Sequence, residues 1–314
     1  MKLAQRVALA TAVLTLILVA IGAYVRATGS GLGCPDWPTC HGGVVPPNSR
    51  HAIIEYSHRF TASAVGLLVI ATAILAWRHY RHSSFITWTA TIAVPLVGFQ
   101  GILGAITVKR ELPPEVVATH LVTAMLVLGF EVATFVAMYL EDPDHRANLQ
   151  SLAGGSKLPG KIAVACVAWL AAVMWVGGYM AESGASTACE GWPLCNGSVL
   201  PANDGQEITH MIHRYIAGLF ILFIAAFVVV TWKRRNELFW AAPAAIAAGV
   251  LYVAQVTVGA FNVWYTFPDW LTVAHTAIAA GIWFTLSFAV LFTFYSPAPA
   301  RLDERPVRKA EAPA

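Results

Sequence analysis

Eight runs of about twenty mainly apolar residues decide what this chain can become. They cover roughly 7–26, 59–77, 86–108, 117–140, 161–181, 212–232, 240–264 and 271–295. A helix needs about 20 such residues to cross the hydrocarbon of a bilayer. Lipid offers no partners to an open backbone, so only helices and closed barrels span it. The period-two alternation of a barrel strand is absent. The expected fold is therefore an all-α membrane protein with eight transmembrane helices. The chain has 314 residues, of which 57% are hydrophobic and 12% charged, about half the roughly 25% charge of a soluble domain. A net charge of +3 with no basic face gives nucleic acid nothing to bind.

Lys and Arg set the orientation. Lys2, Arg6, Arg78, Arg81, Lys157, Lys161, the Lys233–Arg235 run and the C-terminal Arg and Lys residues fall on one side of the spans. Fewer basic residues fall on the other side, among them Arg26, Arg50, Arg59 and Arg214. Both termini are thus expected in the cytoplasm. The first run follows Lys2 and Arg6 as a signal peptide would, but its internal counterpart in the repeat below cannot be a signal. The tail from Ser296 is rich in Pro, Ala and charge and is expected to be disordered.

A shift of 155 residues superimposes the two halves without a gap. It carries Gly22 and Tyr24 onto Gly177 and Tyr179, and Cys34, Trp37, Pro38 and Cys40 onto Cys189, Trp192, Pro193 and Cys195. His58-Arg59 falls on His213-Arg214, Gln100 and Gly104 fall on Gln255 and Gly259, and His120 falls on His275. Apolar similarity alone would not match Cys, His, Trp and Gln in one register. Each half is expected to be a four-helix unit, 1–145 and 161–295, joined by a linker at 146–160 and followed by the tail 296–314. Four spans is an even number, so the halves enter the membrane in the same sense and form parallel repeats. Helix bundles hold cofactors between facing helices.

His58, His120, His213 and His275 mark the starts of the second, fourth, sixth and eighth apolar runs, all near the outer side. A lone His there would be an interfacial cap. A pair in each half, on two helices running the same way, is the arrangement that holds one porphyrin iron from both faces. Zinc would want four tetrahedral ligands, which the second half does not supply. His41, His51, His79, His82 and His145 lie in loops and read as solvated surface. All four helix histidines lie near one face, which argues against a haem wire across the bilayer.

The halves differ where it matters. Glu55 shares a helix face with His58, but its repeat partner is His210. A carboxylate in a poorly hydrated site can move protons or stabilise a cation on a substrate; it can also simply sit near a helix N-terminus. The difference points to one half for chemistry and the other for a retained cofactor. Cys34 and Cys40, and Cys189 and Cys195, are spaced to close small disulfide loops on the oxidising side. The second pair reads as a staple, and the first as a staple or a redox couple. Cys166 reads as a core residue. Gln100 and Gln255 fit either helix packing or a cofactor pocket, and Arg26, Arg59 and Arg214 either propionate pairing or snorkelling.

GAYVRATGSGLGCPDWPTCHG, IEYSHRF, CEGWPLCNG and HMIHR together resemble the haem A synthase family, across all eight runs. The resemblance implies oxidation of a methyl group of haem O to a formyl group, giving haem A for terminal oxidases in a bacterial plasma membrane. It implies substrate haem O between His58 and His120, Glu55 as a catalytic carboxylate, and haem b between His213 and His275. A haem O synthase is then a candidate partner. With no Gly-rich dinucleotide fingerprint in the sequence, electrons must be exchanged with an outside partner. The rival readings are a di-haem cytochrome b that trades electrons with quinone, and a transporter.

Overall fold

A computed structural model describes residues 1–141, 149–151, 158–202 and 204–297. Its long helices are α1 (Leu3–Ala27), α2 (Arg50–His79), α3 (Ser84–Lys109), α4 (Pro114–Leu140), α5 (Leu158–Glu182), α6 (Gly205–Lys233), α7 (Ala241–Trp264) and α8 (Asp269–Phe294). All eight are long and apolar enough to cross a membrane.

The helices overrun the apolar runs, most of all at α2 and α6. Ser49 caps α2 by accepting the Ala52 N–H at 3.3 Å, and Asp204 caps α6 by accepting the Gln206 N–H at 2.9 Å. Such caps satisfy donors that the first turn leaves open, so both helices start well before their apolar segments. His58 and His213, expected at helix starts, therefore sit about two turns inside their helices.

Two short strands are added to the expected helices. Leu149–Ser151 pairs antiparallel with Tyr295–Pro297. The segments that leave α4 and α8 satisfy backbone groups on each other rather than remaining free. The expected linker is also shorter, because 158–160 already belong to α5. The rest of that linker, and the tail beyond 297, lie outside the described residues.

Within each half the helices close a ring. α1 packs on α2 and α4, and α3 packs on the same two; α5 packs on α6 and α8, and α7 packs on those two. The halves meet where α1 lies on α8, α5 on α4, and α4 on α8. Exchanging the halves maps this set of contacts onto itself. α4 and α8 are central: 56% and 50% of their spanning residues are buried, against a third or less in the others. The main core joins Met125, Leu128 and Val132 of α4 to Leu170 and Met174 of α5 and to Trp283 and Leu286 of α8. With lipid on all sides, such packing rather than a hydrophobic drive holds helices together, and small residues let backbones approach.

Gly178 of α5 is such a residue, since a methyl group there would meet the Ala118 Cα at 3.2 Å. Gly178→Leu is expected to force α4 and α5 apart and to destabilise the protein by about 1–3 kcal/mol. The measurement is the thermal midpoint in detergent; an unchanged midpoint would show that the seam has slack.

Candidate functional site

The loop between α1 and α2 is closed by the Cys34–Cys40 disulfide, with S–S 2.01 Å. Asp36 organises its turn by accepting the N–H groups of Gly42 and His41, at 2.6 Å each, and the Thr39 hydroxyl at 2.8 Å. These donors, the Gly42 N–H foremost and then Thr39, hold its carboxyl down at about 2. Because the value is lowered, the cap is complete above the ordinary carboxylate range and is lost as pH falls through about 2. His51 bonds Ser30 at 2.9 Å, and His41 reaches the Gly33 carbonyl at 3.0 Å. Both are exposed, as the sequence predicts, and the closed loop adds these contacts.

Glu55 fastens this loop to α2. Only 3% exposed, it accepts the Cys34 N–H at 2.7 Å and two N–H groups of Arg59, at 3.1 and 2.5 Å. Arg59 also donates to the carbonyls of Cys34, Asp36 and Thr39, at 2.8, 2.7 and 2.9 Å. The guanidinium is thus consumed by the loop, which removes it from the expected propionate-pairing or snorkelling arginines. The loop backbone comes so close to α2 that a Cβ on Gly33 would lie 2.3 Å from the His51 carbonyl oxygen. Glu55 therefore binds loop and arginine on its way up the helix from His58, and its hydrogen bonds do not go to the imidazole.

The second half builds the same loop differently. Cys189 and Cys195 are joined, with S–S 2.05 Å. Asn196 replaces the Asp36 cap, accepting the Glu190 N–H at 3.0 Å and donating to the Ala188 carbonyl at 3.1 Å and to Glu207 at 2.8 Å. His210, in the place of Glu55, meets the Ala185 carbonyl at 3.0 Å. Arg214 donates to the carbonyls of Pro193 and Leu194 at 3.2 and 3.1 Å and to the Met211 sulfur at 3.9 Å, with no carboxylate partner among these contacts. Its Nε and one Nη are buried without a hydrogen-bond partner. Between the halves, Arg26 reaches the Ala181 carbonyl at 3.4 Å and Glu182 at 3.8 Å.

The four helix histidines are brought together in two pairs. His58 and His120 lie within electrostatic range of each other, as do His213 and His275. In all four the Nδ1 is buried and lacks a full hydrogen bond, while each residue keeps some exposure. The nitrogen that remains accessible and unpartnered is therefore Nε2. Among the described residues, no three His, Cys, Asp or Glu side chains converge on one point as a metal cluster. Two imidazoles per half, each with an accessible Nε2, have the donor chemistry that axial ligation of a porphyrin iron requires.

Each ring rests on a glycine of the neighbouring helix. A methyl group on Gly22 would lie 3.1 Å from Cε1 of His58, on Gly104 3.7 Å from that of His120, on Gly177 2.7 Å from that of His213, and on Gly259 3.1 Å from that of His275. These glycines are visible in the repeat, but their spacing reads equally as helix packing; only the structure shows an imidazole lying on each one. Gln100 does serve packing, donating to the His120 carbonyl at 2.9 Å, whereas the Gln255 side-chain oxygen is buried without a partner.

Fold and site together define a multi-pass membrane protein with a pair of histidines in each of two repeated halves. Residues 5–287 match the COX15-CtaA family model, described as cytochrome oxidase assembly protein, and the chain belongs to this family. It is 31% identical over 289 residues to the heme A synthase of Alkalihalophilus pseudofirmus, covering 91% of this chain and 93% of the relative. It is 32% identical over 309 residues to that of Symbiobacterium thermophilum, covering 93% and 96%. To that of Shouchella clausii it is 30% identical over 301 residues, covering 92% and 93%. These matches favour the synthase over the quinone-linked cytochrome and the transporter.

Two predictions follow from the geometry. Gly177→Ala should displace the His213 ring and lower the haem bound per purified chain, whereas Gly104→Ala should leave haem content unchanged; equal effects would refute the cradle. Arg59→Leu leaves Glu55 buried without its counter-charge and should cost about 3–5 kcal/mol, read as a fall in thermal midpoint. It should also speed reduction of Cys34–Cys40 by a water-soluble phosphine.

Proposed function

We propose that the chain is a haem A synthase, oxidising a methyl group of haem O to the formyl group of haem A. The observation that carries this reading is the pairing of equivalent histidines in both halves, with a carboxylate beside only the first pair. In this reading the half 1–145 is the substrate half, and His58 and His120 hold the iron of haem O through Nε2. The half 161–295 keeps haem b between His213 and His275, and that haem supplies one-electron transfer when bound. Basic-residue bias puts both termini in the cytoplasm and both disulfide loops outside, in a bacterial plasma membrane. Electrons pass to or from a partner outside the chain, and a haem O synthase is the natural source of so apolar a substrate.

The reaction replaces C–H bonds by one C=O bond. In each of two two-electron oxidations a C–H bond is replaced by C–OH, with water supplying the oxygen and two electrons and two protons leaving to the outside partner and solvent. The methyl becomes a hydroxymethyl and then a gem-diol, which loses water to leave the aldehyde. Positive charge develops at the reacting carbon, and a fixed negative charge nearby lowers that barrier most where water is excluded. Glu55 is that charge in this reading. Arg59 and the Cys34 N–H supply the hydrogen bonds that a buried carboxylate requires, and they fix its position. The Cys34–Cys40 loop lies over the same end of α2, where it shields the pair from the aqueous side.

The test is expression in a host that makes haem O, followed by extraction of the haems and mass spectrometry. Haem A and a hydroxylated intermediate should appear with the natural chain. Glu55→Gln should lower haem A by about 10²-fold or more, the scale of losing one preorganised charge or donor, with the second haem still bound. Unaltered haem A in that variant would remove Glu55 from the chemistry, and no haem A from the natural chain would overturn the assignment.

A further inference from the structure

The first half carries a second polar feature, on the far side of the histidines from the disulfide loop. Glu131 lies about 16 Å beyond His120 along α4, at about 1.5 Å per residue. It is wholly buried at 0% exposure, and neither carboxyl oxygen has a hydrogen-bond partner. At similar depth the helix seams carry buried hydroxyls. Thr11 of α1 meets Thr72 of α2 at 3.0 Å, and Thr134 of α4 meets Thr89 of α3 at 3.0 Å. Thr15, nearer the histidines, donates to the Thr11 carbonyl at 2.7 Å.

Among the described residues, the other half has neither this carboxyl nor hydroxyls paired across its seams; its seam contacts include Trp169 to the Ile216 carbonyl at 2.8 Å and Tyr252 to the Ala217 carbonyl at 2.9 Å. The repeat register carries Thr11, Thr15, Thr72, Thr89, Glu131 and Thr134 onto Cys166, Leu170, Phe227, Ala244, Leu286 and Ala289. Those positions are apolar and lie in or against the main core. Threonines that bond back to their own helix are ordinary in membrane helices. That does not explain an unpartnered carboxyl, nor why only the first half pairs hydroxyls across its seams. A buried carboxylate with no counter-charge costs several kcal/mol, so this side chain favours holding a proton. The hydroxyls have the property that a carrier needs, two acceptors for one hydrogen. Thr134 reaches both the Phe130 carbonyl, at 2.8 Å, and Thr89; Thr11 reaches both the Val7 carbonyl, at 2.8 Å, and Thr72.

We propose that the first half contains a proton path from its histidine pair toward the end of the bundle where the chain termini lie, with Glu131 as the proton-binding group and the seam threonines as carriers. Intramembrane carboxylates with hydroxyl neighbours are the expected parts of such relays. The proposal rests on the reading of this half as the substrate half: electrons exchanged with a partner must be balanced by protons exchanged with solvent, and the half that only retains a haem has no such need. Each transfer moves one proton between carboxyl and hydroxyl or water, with no change of oxidation state.

The test is infrared spectroscopy of the resting protein, without haem O. A protonated carboxyl band should be present, should vanish in Glu131→Gln and move in Glu131→Asp, and should shift within minutes of transfer to D2O. Thr134→Val, which removes one hydroxyl bond of about 1 kcal/mol, should slow that shift about five- to tenfold. Absence of the band, or a band that stays unexchanged for hours, would overturn the path, as would an unchanged rate in both Thr134→Val and Thr72→Val. The bound-haem spectrum of each variant checks its fold. Because no turnover is involved, failure here is distinct from failure to make haem A.

Discussion

Hydrocarbon gives a polar side chain no water to fall back on, and this constraint shapes every feature of the molecule. A polar group inside the spans is hydrogen-bonded, ion-paired, or available for a ligand or proton. Glu55 and Arg59 satisfy the first two conditions through a network that holds the disulfide loop on α2. The four imidazoles meet the third, each with Nδ1 buried against a neighbouring helix and Nε2 left open. The glycines beneath them complete the device, because any Cβ at Gly177 would drive the His213 ring from its place.

Duplication gives two copies of this device, and the copies have diverged in opposite directions. Around the first pair the chain has kept charge and hydroxyl groups: Glu55 above the histidines, Glu131 and the threonine seams beyond them. Around the second pair both carboxylates are gone, with His210 and Leu286 at the same positions, and Phe227 stands where Thr72 does in the first half. A substrate half must exchange protons and accommodate developing charge. A half that retains an electron-transfer cofactor is served by a dry, rigid setting, in which hydrophobic burial and second-sphere contacts tune the iron.

Much of this was legible in the sequence, because scarcity makes polar residues conspicuous. Eight apolar runs define the spans, and one register relates both cysteine pairs, the four histidines and the glycines beneath them. What the sequence could not show was contact. The Glu55-x-x-His58 spacing puts both residues on one face of a helix, yet the carboxylate is drawn along that face to Arg59 and the Cys34 backbone. Arg59 itself reads as a boundary cation until the loop closes around it. The starts of α2 and α6 were hidden because capping by Ser49 and Asp204 extends helix into polar sequence. Glu131 lies inside an apolar run, where one acidic residue scarcely alters the pattern; its missing counterpart at Leu286 is the available signal.

The central claim, that one half transforms a haem while the other keeps one, is tested most directly by comparing two double variants. Protein with His58 and His120 both changed to Ala should retain one tightly bound low-spin haem by absorption and paramagnetic resonance, while forming no haem A. Protein with His213 and His275 both changed to Ala should lose that low-spin signal. If the first double variant loses the low-spin haem and the second keeps it, the assignment of the halves is reversed. If each retains half the signal, the division of labour does not exist.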